Sequence, residues 1–198
     1  MELVRPGGDG HLRNASILVL PAVSIDAGQL AVDLLICTLG VRREYDDQGL
    51  SIVQQHTPVA KGVMMKYTKN MAAWVVCERI KEVILISGLD SSNSQIQYIS
   101  TASKDGSDGC CEVQWKLLEQ YLPLGEAWQR LDQHSAEGLK VVCVLNFCAE
   151  GDNVPDAFLI GDAVQQYLYH RKPGASGMVF PSHFPQQSDG MLIENIVL

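Results

Sequence analysis

Three short stretches of this chain are almost wholly apolar: Ser16 to Val23 (SILVLPAV), Val83 to Ser87 (VILIS) and Leu139 to Cys148 (LKVVCVLNFC). A strand with one face in water alternates apolar and polar residues, so a run without alternation belongs to a strand covered on both faces, as in a parallel sheet. Segments of helical period lie between these runs. Strands that alternate with helices imply crossover connections that place helices on both faces of the sheet. The expected fold is therefore α/β, a three-layer sandwich with a mostly parallel central sheet.

The first helix is expected from Ser24 and Asp26, which supply capping side chains, to Gly40, a C-terminal stop. Ala27, Leu30, Ala31, Leu34 and Leu35 form one stripe, yet Val32, Ile36 and Leu39 fill much of the remaining surface. Two explanations stay open: burial on two sides within the domain, or a partner that covers Val32, Ile36 and Leu39. Leu50 to His56 reads as a short strand, and Pro58 opens a helical segment. Val63, Met64, Tyr67, Met71, Trp74 and Val75 share one stripe of that segment, while Lys61, Lys66, Lys69 and Lys81 lie elsewhere. Core packing is the expected role of the stripe and a peptide groove the alternative; the lysines read as a solvated face. Further on, Ile96 to Thr101 reads as an edge strand. Cys111 to Tyr121 reads as a short amphipathic helix with Val113, Leu117 and Leu118 inward, extended by Trp128 and Leu131. Val154 to His170 is the last helix, with Ala157, Ile160, Gly161, Val164, Tyr167 and Leu168 on its stripe. Residues 1–173 are read as a single domain and 174–198 as an irregular tail.

Composition narrows the class of function. With 198 residues, 46% of them hydrophobic, the chain is long enough for one sizeable core. A net charge of −8 argues against nucleic acid as a partner. The opening MELVRPGGDGHLRNAS has no apolar centre of the kind a secretory leader needs, and no segment approaches the ~20 apolar residues of a membrane span, so a soluble protein is expected. Six cysteines, Cys37, Cys77, Cys110, Cys111, Cys143 and Cys148, make no C-x-x-C pair and have no histidine at zinc-ligand spacing. They read as reduced thiols, four of them as small hydrophobes.

Glu150, Asp152 and Asp156 sit where the last strand gives way to the last helix, a place where α/β enzymes position their sites, and three carboxylates there suit a divalent metal or a general base. A structural account explains the same segment with less. Asn153 caps the helix, Pro155 fits the first turn, and Asp156 complements the positive end of the dipole, with Glu150, Gly151 and Asp152 leading in. No G-x-S-x-G elbow and no G-x-G-x-x-G or G-x-x-x-x-G-K-[ST] loop occurs, and His11, His56, His134, His170 and His183 fall in loops or at element ends. Neither catalysis nor a cofactor is expected.

Two segments, LVLPAVSIDAGQLAVDLLICTLG (residues 18–40) and VLNFCAEGDNVPDAF (residues 144–158), resemble the proteasome assembly chaperone 2 family. There a strand ending in M/L-P-A-V-S leads through G-Q-L into an apolar helix, and E-G-D-N-x-P-D-A opens the last helix. LSIVQQHTPVAKGVM, VILISGLDSS and CEVQWKLLEQY resemble plant forms, so the likeness covers most of residues 15–172. It implies a three-layer α/β fold, no enzymatic activity, a heterodimer with proteasome assembly chaperone 1, binding to the proteasome alpha subunits, and residence in cytoplasm and nucleus. Two departures stand out. Family members carry several dozen more residues between the first helix and the strand matching Leu50 to His56. The second is the end of the chain, where the family has W-x-x-P-x-S-W and a Gly/Pro-rich close, while MVFPSHFPQQSDGMLIENIVL matches at most around Phe180 to Phe184. Where chaperones of this kind insert a C-terminus ending in a hydrophobic residue, Tyr and any residue, this chain has Ile196, Val197 and Leu198. Those three are the remaining candidate partner contacts. An enzyme-class alternative is a degenerate nucleoside phosphorylase or hydrolase with its acidic site at Glu150, Asp152 and Asp156.

Overall fold

The computed structural model describes residues 16–22, 26–39, 49–54, 62–90, 95–101, 109–110, 112–118, 139–148 and 153–171. Leu18 and Val19 are neighbours in the first apolar run and both are fully buried, on opposite sides of one sheet. Strand β1 (Ile17–Pro21) sends Ile17 and Val19 into one core cluster and Leu18 and Leu20 into a second. Both faces are covered, which is why no alternation shows in its sequence.

The described residues form a six-stranded sheet in the order β2-β1-β3-β6-β4-β5. Its strands after β1 are β2 (Leu50–Ile52), β3 (Glu82–Asp90), β4 (Ile96–Ser100), β5 (Lys116–Leu117) and β6 (Lys140–Cys148). β2, β1, β3 and β6 run parallel; β4 is antiparallel to β6, and β5 is parallel to β4. Helix α1 (Asp26–Leu39) and helix α3 (Val154–Arg171) cover the face that carries Val19, Ile84, Ile86, Val142 and Val144, and helix α2 (Met64–Cys77) covers Leu18, Leu20 and Val83 on the other. The expected three-layer α/β sandwich is the observed one. The α3 stripe is buried at Ala157, Ile160, Gly161, Val164, Tyr167 and Leu168, as its 3.6-residue period implies.

Three expectations need correction. Residues 112–118 are turn and strand instead of helix: Leu118 N–H donates to Tyr98 O at 3.0 Å, Gln114 has a φ of 58°, and Leu117 is exposed, not inward. Trp115 explains the preference, since its ring stacks on Tyr167 at 5.2 Å between centroids and a helical turn would carry it off that contact. Second, β4 is an inner strand between β6 and β5, not an edge. Third, β2 is shorter than residues 50–56, and α2 begins at Met64 after a Val63 that offers no capping side chain. Trp128, Leu131 and the tail from 174 lie outside the described residues.

The thiols divide by exposure. Cys110 and Cys143 are buried, whereas Cys37 and Cys77 are exposed, contrary to their reading as core hydrophobes. Burial pushes the Cys143 thiol up to about 12 from an ordinary 9.0, and burial followed by the Asp33 charge raises that of Cys37. Thiolate is the reactive form. Iodoacetamide on the native protein, read by peptide mass spectrometry, should therefore modify Cys77 fastest and Cys37 more slowly, and Cys110 and Cys143 only after unfolding. Because the folded-state value of Cys143 is raised, its contribution to stability is present below pH 9 and is lost as pH rises toward 12. Cys143→Val should flatten the alkaline loss of stability across that window in urea titrations.

Candidate functional site

In a doubly wound sheet, ligands bind beyond the carboxyl ends of the strands where the chain order reverses. Here that point lies between β1 and β3, because β1 is flanked by β2 on one side and β3 on the other. At this point backbone contacts join β1, β3 and the start of α1. Ala22 N–H donates to Ile86 O at 2.6 Å, and a Cβ placed on Gly28, in the first turn of α1, would meet that same oxygen at 2.9 Å. Pro21, Ala22 and Gly28 belong to the P-A-V-S and G-Q-L motifs, so these motif residues hold β1, β3 and α1 close together.

The second motif has a comparable use. Asn146 is fully buried on β6 and donates from Nδ2 to Asp156 Oδ1 at 2.9 Å, tying the end of β6 to the first turn of α3. Asn153 stands in the N-cap position, its carbonyl accepting Ala157 N–H at 2.9 Å, and Pro155 is exposed at the second helical residue. Glu150, Gly151 and Asp152 lie outside the described residues, so of the three carboxylates only Asp156 is described. Among the described residues no group of three His, Cys, Asp or Glu side chains could hold a metal ion, and no helix is long and apolar enough to cross a membrane.

A polar cluster missed by the sequence reading sits at the opposite edge of the sheet. Glu82 opens β3 and Lys140 opens β6, and the two are register partners. Tyr167 Oη donates to Glu82 Oε1 at 2.5 Å, and Lys140 Nζ lies 2.9 Å from Tyr167 Oη and 3.1 Å from Glu82 Oε1. The triad pins α3 to two strand starts. The charge of each residue was visible in the sequence, but the pairing of β3 with β6 that joins them was not.

Of the two explanations left open for the second face of α1, burial within the domain holds at Val32. Val32 is 0% exposed because the core cluster formed with α3 and the sheet encloses it, so it is no contact surface on the folded chain. Ile36 is half-buried against the same cluster, the Leu39 side chain is outside the described set, and Ile196, Val197 and Leu198 lie in the undescribed tail. The open apolar surface is on α2 instead. Of its sequence stripe, Met71 and Val75 are buried, Tyr67 and Trp74 half-buried, and Val63 and Met64 exposed. A groove of about 360 Å³ runs between α2 and the sheet, walled by Met64, Tyr67 and Met71 on one side and Leu20, Leu85 and Val141 on the other. Burial pushes the Tyr67 phenol up from its ordinary value of 10.0.

No protein-family model matches the chain. Among curated proteins it is similar to proteasome assembly chaperone 2 of Nematostella vectensis, 27% identical over 216 residues and covering 77% of this chain and 86% of that one. Proteasome assembly chaperone 2 of Xenopus laevis is 25% identical over 228 residues, with 84% and 88% covered. Both alignments are longer than the 198-residue chain, so the relatives carry segments that this chain lacks. Its fold is that of Pyrococcus furiosus PbaA, an archaeal homolog of proteasome-assembly chaperone, at a TM-score of 0.59 and 14% identity over 80% of this chain and 83% of the other. A Thermoplasma acidophilum protein of unknown function superimposes with a TM-score of 0.63 at 11% identity over 93% and 85%. Along most of its length the chain is thus similar in sequence to proteasome assembly chaperone 2 proteins, at 25–27% identity in the three relatives from Nematostella and Xenopus.

Proposed function

We propose that the chain is an assembly chaperone for the core proteasome, acting by protein binding and without a catalytic site. In this reading it pairs with proteasome assembly chaperone 1, and the heterodimer binds the alpha-subunit ring in cytoplasm and nucleus. The observation that carries it is the extended similarity to proteasome assembly chaperone 2 proteins, which spans 77–85% of the chain. The local contacts agree: the described motif residues make packing and hydrogen-bond contacts within the fold, Ala22 and Gly28 with Ile86 of β3 and Asp156 with Asn146 of β6.

The test is affinity purification of the tagged full-length chain from cells. Proteasome alpha subunits and the partner chaperone should co-purify, without beta subunits of the mature particle in comparable amount. Recovery of neither, together with a melting temperature raised by a nucleoside or a divalent cation, would replace this reading with the enzyme-class one. Deleting Glu194 to Leu198 is expected to change the affinity of the heterodimer for isolated alpha rings by less than ~1.4 kcal/mol, about tenfold. Val197 replaces the aromatic anchor that a docking tail of this kind would use.

A further inference from the structure

We infer that the groove beside α2 is a docking site for the chain's own C-terminal segment, Met191 to Leu198 (MLIENIVL), which would fold back over the edge of the sheet to reach it. Apolar surface of this kind on a soluble domain calls for an occupant. Besides the lining, Val63, Met65 and Val76 are exposed on the same helix at 47%, 70% and 44%.

Position favours the tail. α3 lies on the opposite face of the sheet, but its last turn stands at the amino ends of β3 and β6, beside the Val83, Leu139 and Val141 end of the groove. Tyr167 contacts Glu82 and Lys140 at the amino ends of β3 and β6, and Arg171, the last residue of α3, follows one turn later. Side chains alternate across a strand, so Glu82 and Lys140 point toward α3 while their neighbours Val83, Leu139 and Val141 point the other way and line the groove. Only the rim of the sheet separates the root of the tail from the groove. Residues 172–190 can span up to ~60 Å at ~3.3 Å per residue, several times the roughly 20 Å thickness to be crossed at about 10 Å per layer.

Charge favours the same occupant. Within α2 the charged residues are Lys66 and Lys69, both exposed, and after it come the half-buried Glu78 and the exposed Arg79 and Lys81, a net positive set on a chain whose net charge is −8. From Gly174 onward the tail has no lysine or arginine; its charges are Asp189 and Glu194, which bracket and interrupt six apolar residues, Met191, Leu192, Ile193, Ile196, Val197 and Leu198. An acidic, aliphatic strap thus faces an apolar groove with a cationic surround.

Two measurements on the full-length chain test this. Zero-length carbodiimide coupling at low protein concentration should join Glu194 or Asp189 to Lys66, Lys69 or Lys81 within one molecule, and Glu194→Gln should remove its share of the product. Hydroxyl-radical footprinting should show Met64 and Met71 oxidised severalfold faster in a chain lacking residues 191–198. Met65 lines no part of the groove and should keep its rate, which also reports that α2 remains folded. Leu192→Asp/Ile196→Asp serves as a second variant if the deletion does not fold. Equal oxidation of Met64 and Met71 with and without the tail would overturn the inference. Cross-links found only between molecules, with protection that rises with protein concentration, would assign the groove to a second copy. Protection that appears only when the partner chaperone is added would assign it to that protein.

Discussion

Lys140→Met is expected to cost about 3–5 kcal/mol of folding free energy, the largest effect of any single substitution considered, and to lower the melting temperature by roughly 10 °C. Glu82 is 5% exposed, and its carboxylate receives Tyr167 Oη at 2.5 Å and Lys140 Nζ at 3.1 Å. Methionine matches the length of lysine but removes the charge, so the cost comes from a buried carboxylate left without its cation, more than from lost packing. The control is Glu82→Met/Lys140→Met/Tyr167→Phe, which removes every polar member at once. It should recover most of the loss in urea titrations, because a buried ion pair replaced by apolar side chains of similar volume is close to neutral. A loss below ~1 kcal/mol in Lys140→Met would mean that water reaches the pair and screens it, as at a surface salt bridge.

That cluster also shows where sequence reasoning stops. The residues that bury the sheet were legible because burial leaves a periodic trace: β1, β3 and β6 as apolar runs, and the α3 stripe at Ala157, Ile160, Val164 and Tyr167, all within one core cluster or its twin. Strand order leaves no such trace. Nothing in EVILIS or LKVVC says that Glu82 and Lys140 are register partners. The segment around Trp115 was misread for a related reason. Its apolar spacing fits a helix, but the stacking of Trp115 on Tyr167 and the backbone bond from Leu118 to Tyr98 are contacts between residues about 20 to 50 apart in sequence, and these override a local pattern.

For the candidate site, the two motif segments were visible and their purpose was not. Val32 shows the limit from the other side. A helix apolar on both flanks has the same sequence whether α3 or another subunit covers the second flank, and here the chain's own core cluster encloses Val32. The α2 stripe erred in the opposite direction. Its period was right, yet Met64 and Tyr67 line an open groove where a sequence pattern records only that a residue is apolar.

The second large effect is expected at Gly28, where steric and propensity arguments predict opposite signs. Helix propensity alone would have Gly28→Ala stabilise by up to ~1 kcal/mol, since glycine inside a helix is unfavourable by about that amount. The packing says otherwise. A Cβ there would sit 2.9 Å from Ile86 O and 3.5 Å from Ile86 C, and the backbone of Ile86 is held from both sides, by Pro21 of β1 and Val144 of β6 in register. The same oxygen already accepts Ala22 N–H. β3 cannot retreat, so α1 must, and Ala27, Ala31 and Leu35, all fully buried, would lose contact with the core. Gly28→Ala is therefore expected to destabilise, and Gly28→Val to cost about 1–3 kcal/mol, as overpacking of a filled core does. Both values come from urea titration of the folded chain. A rise in stability on Gly28→Ala would show that α1 stands farther from β3 than its first turn indicates.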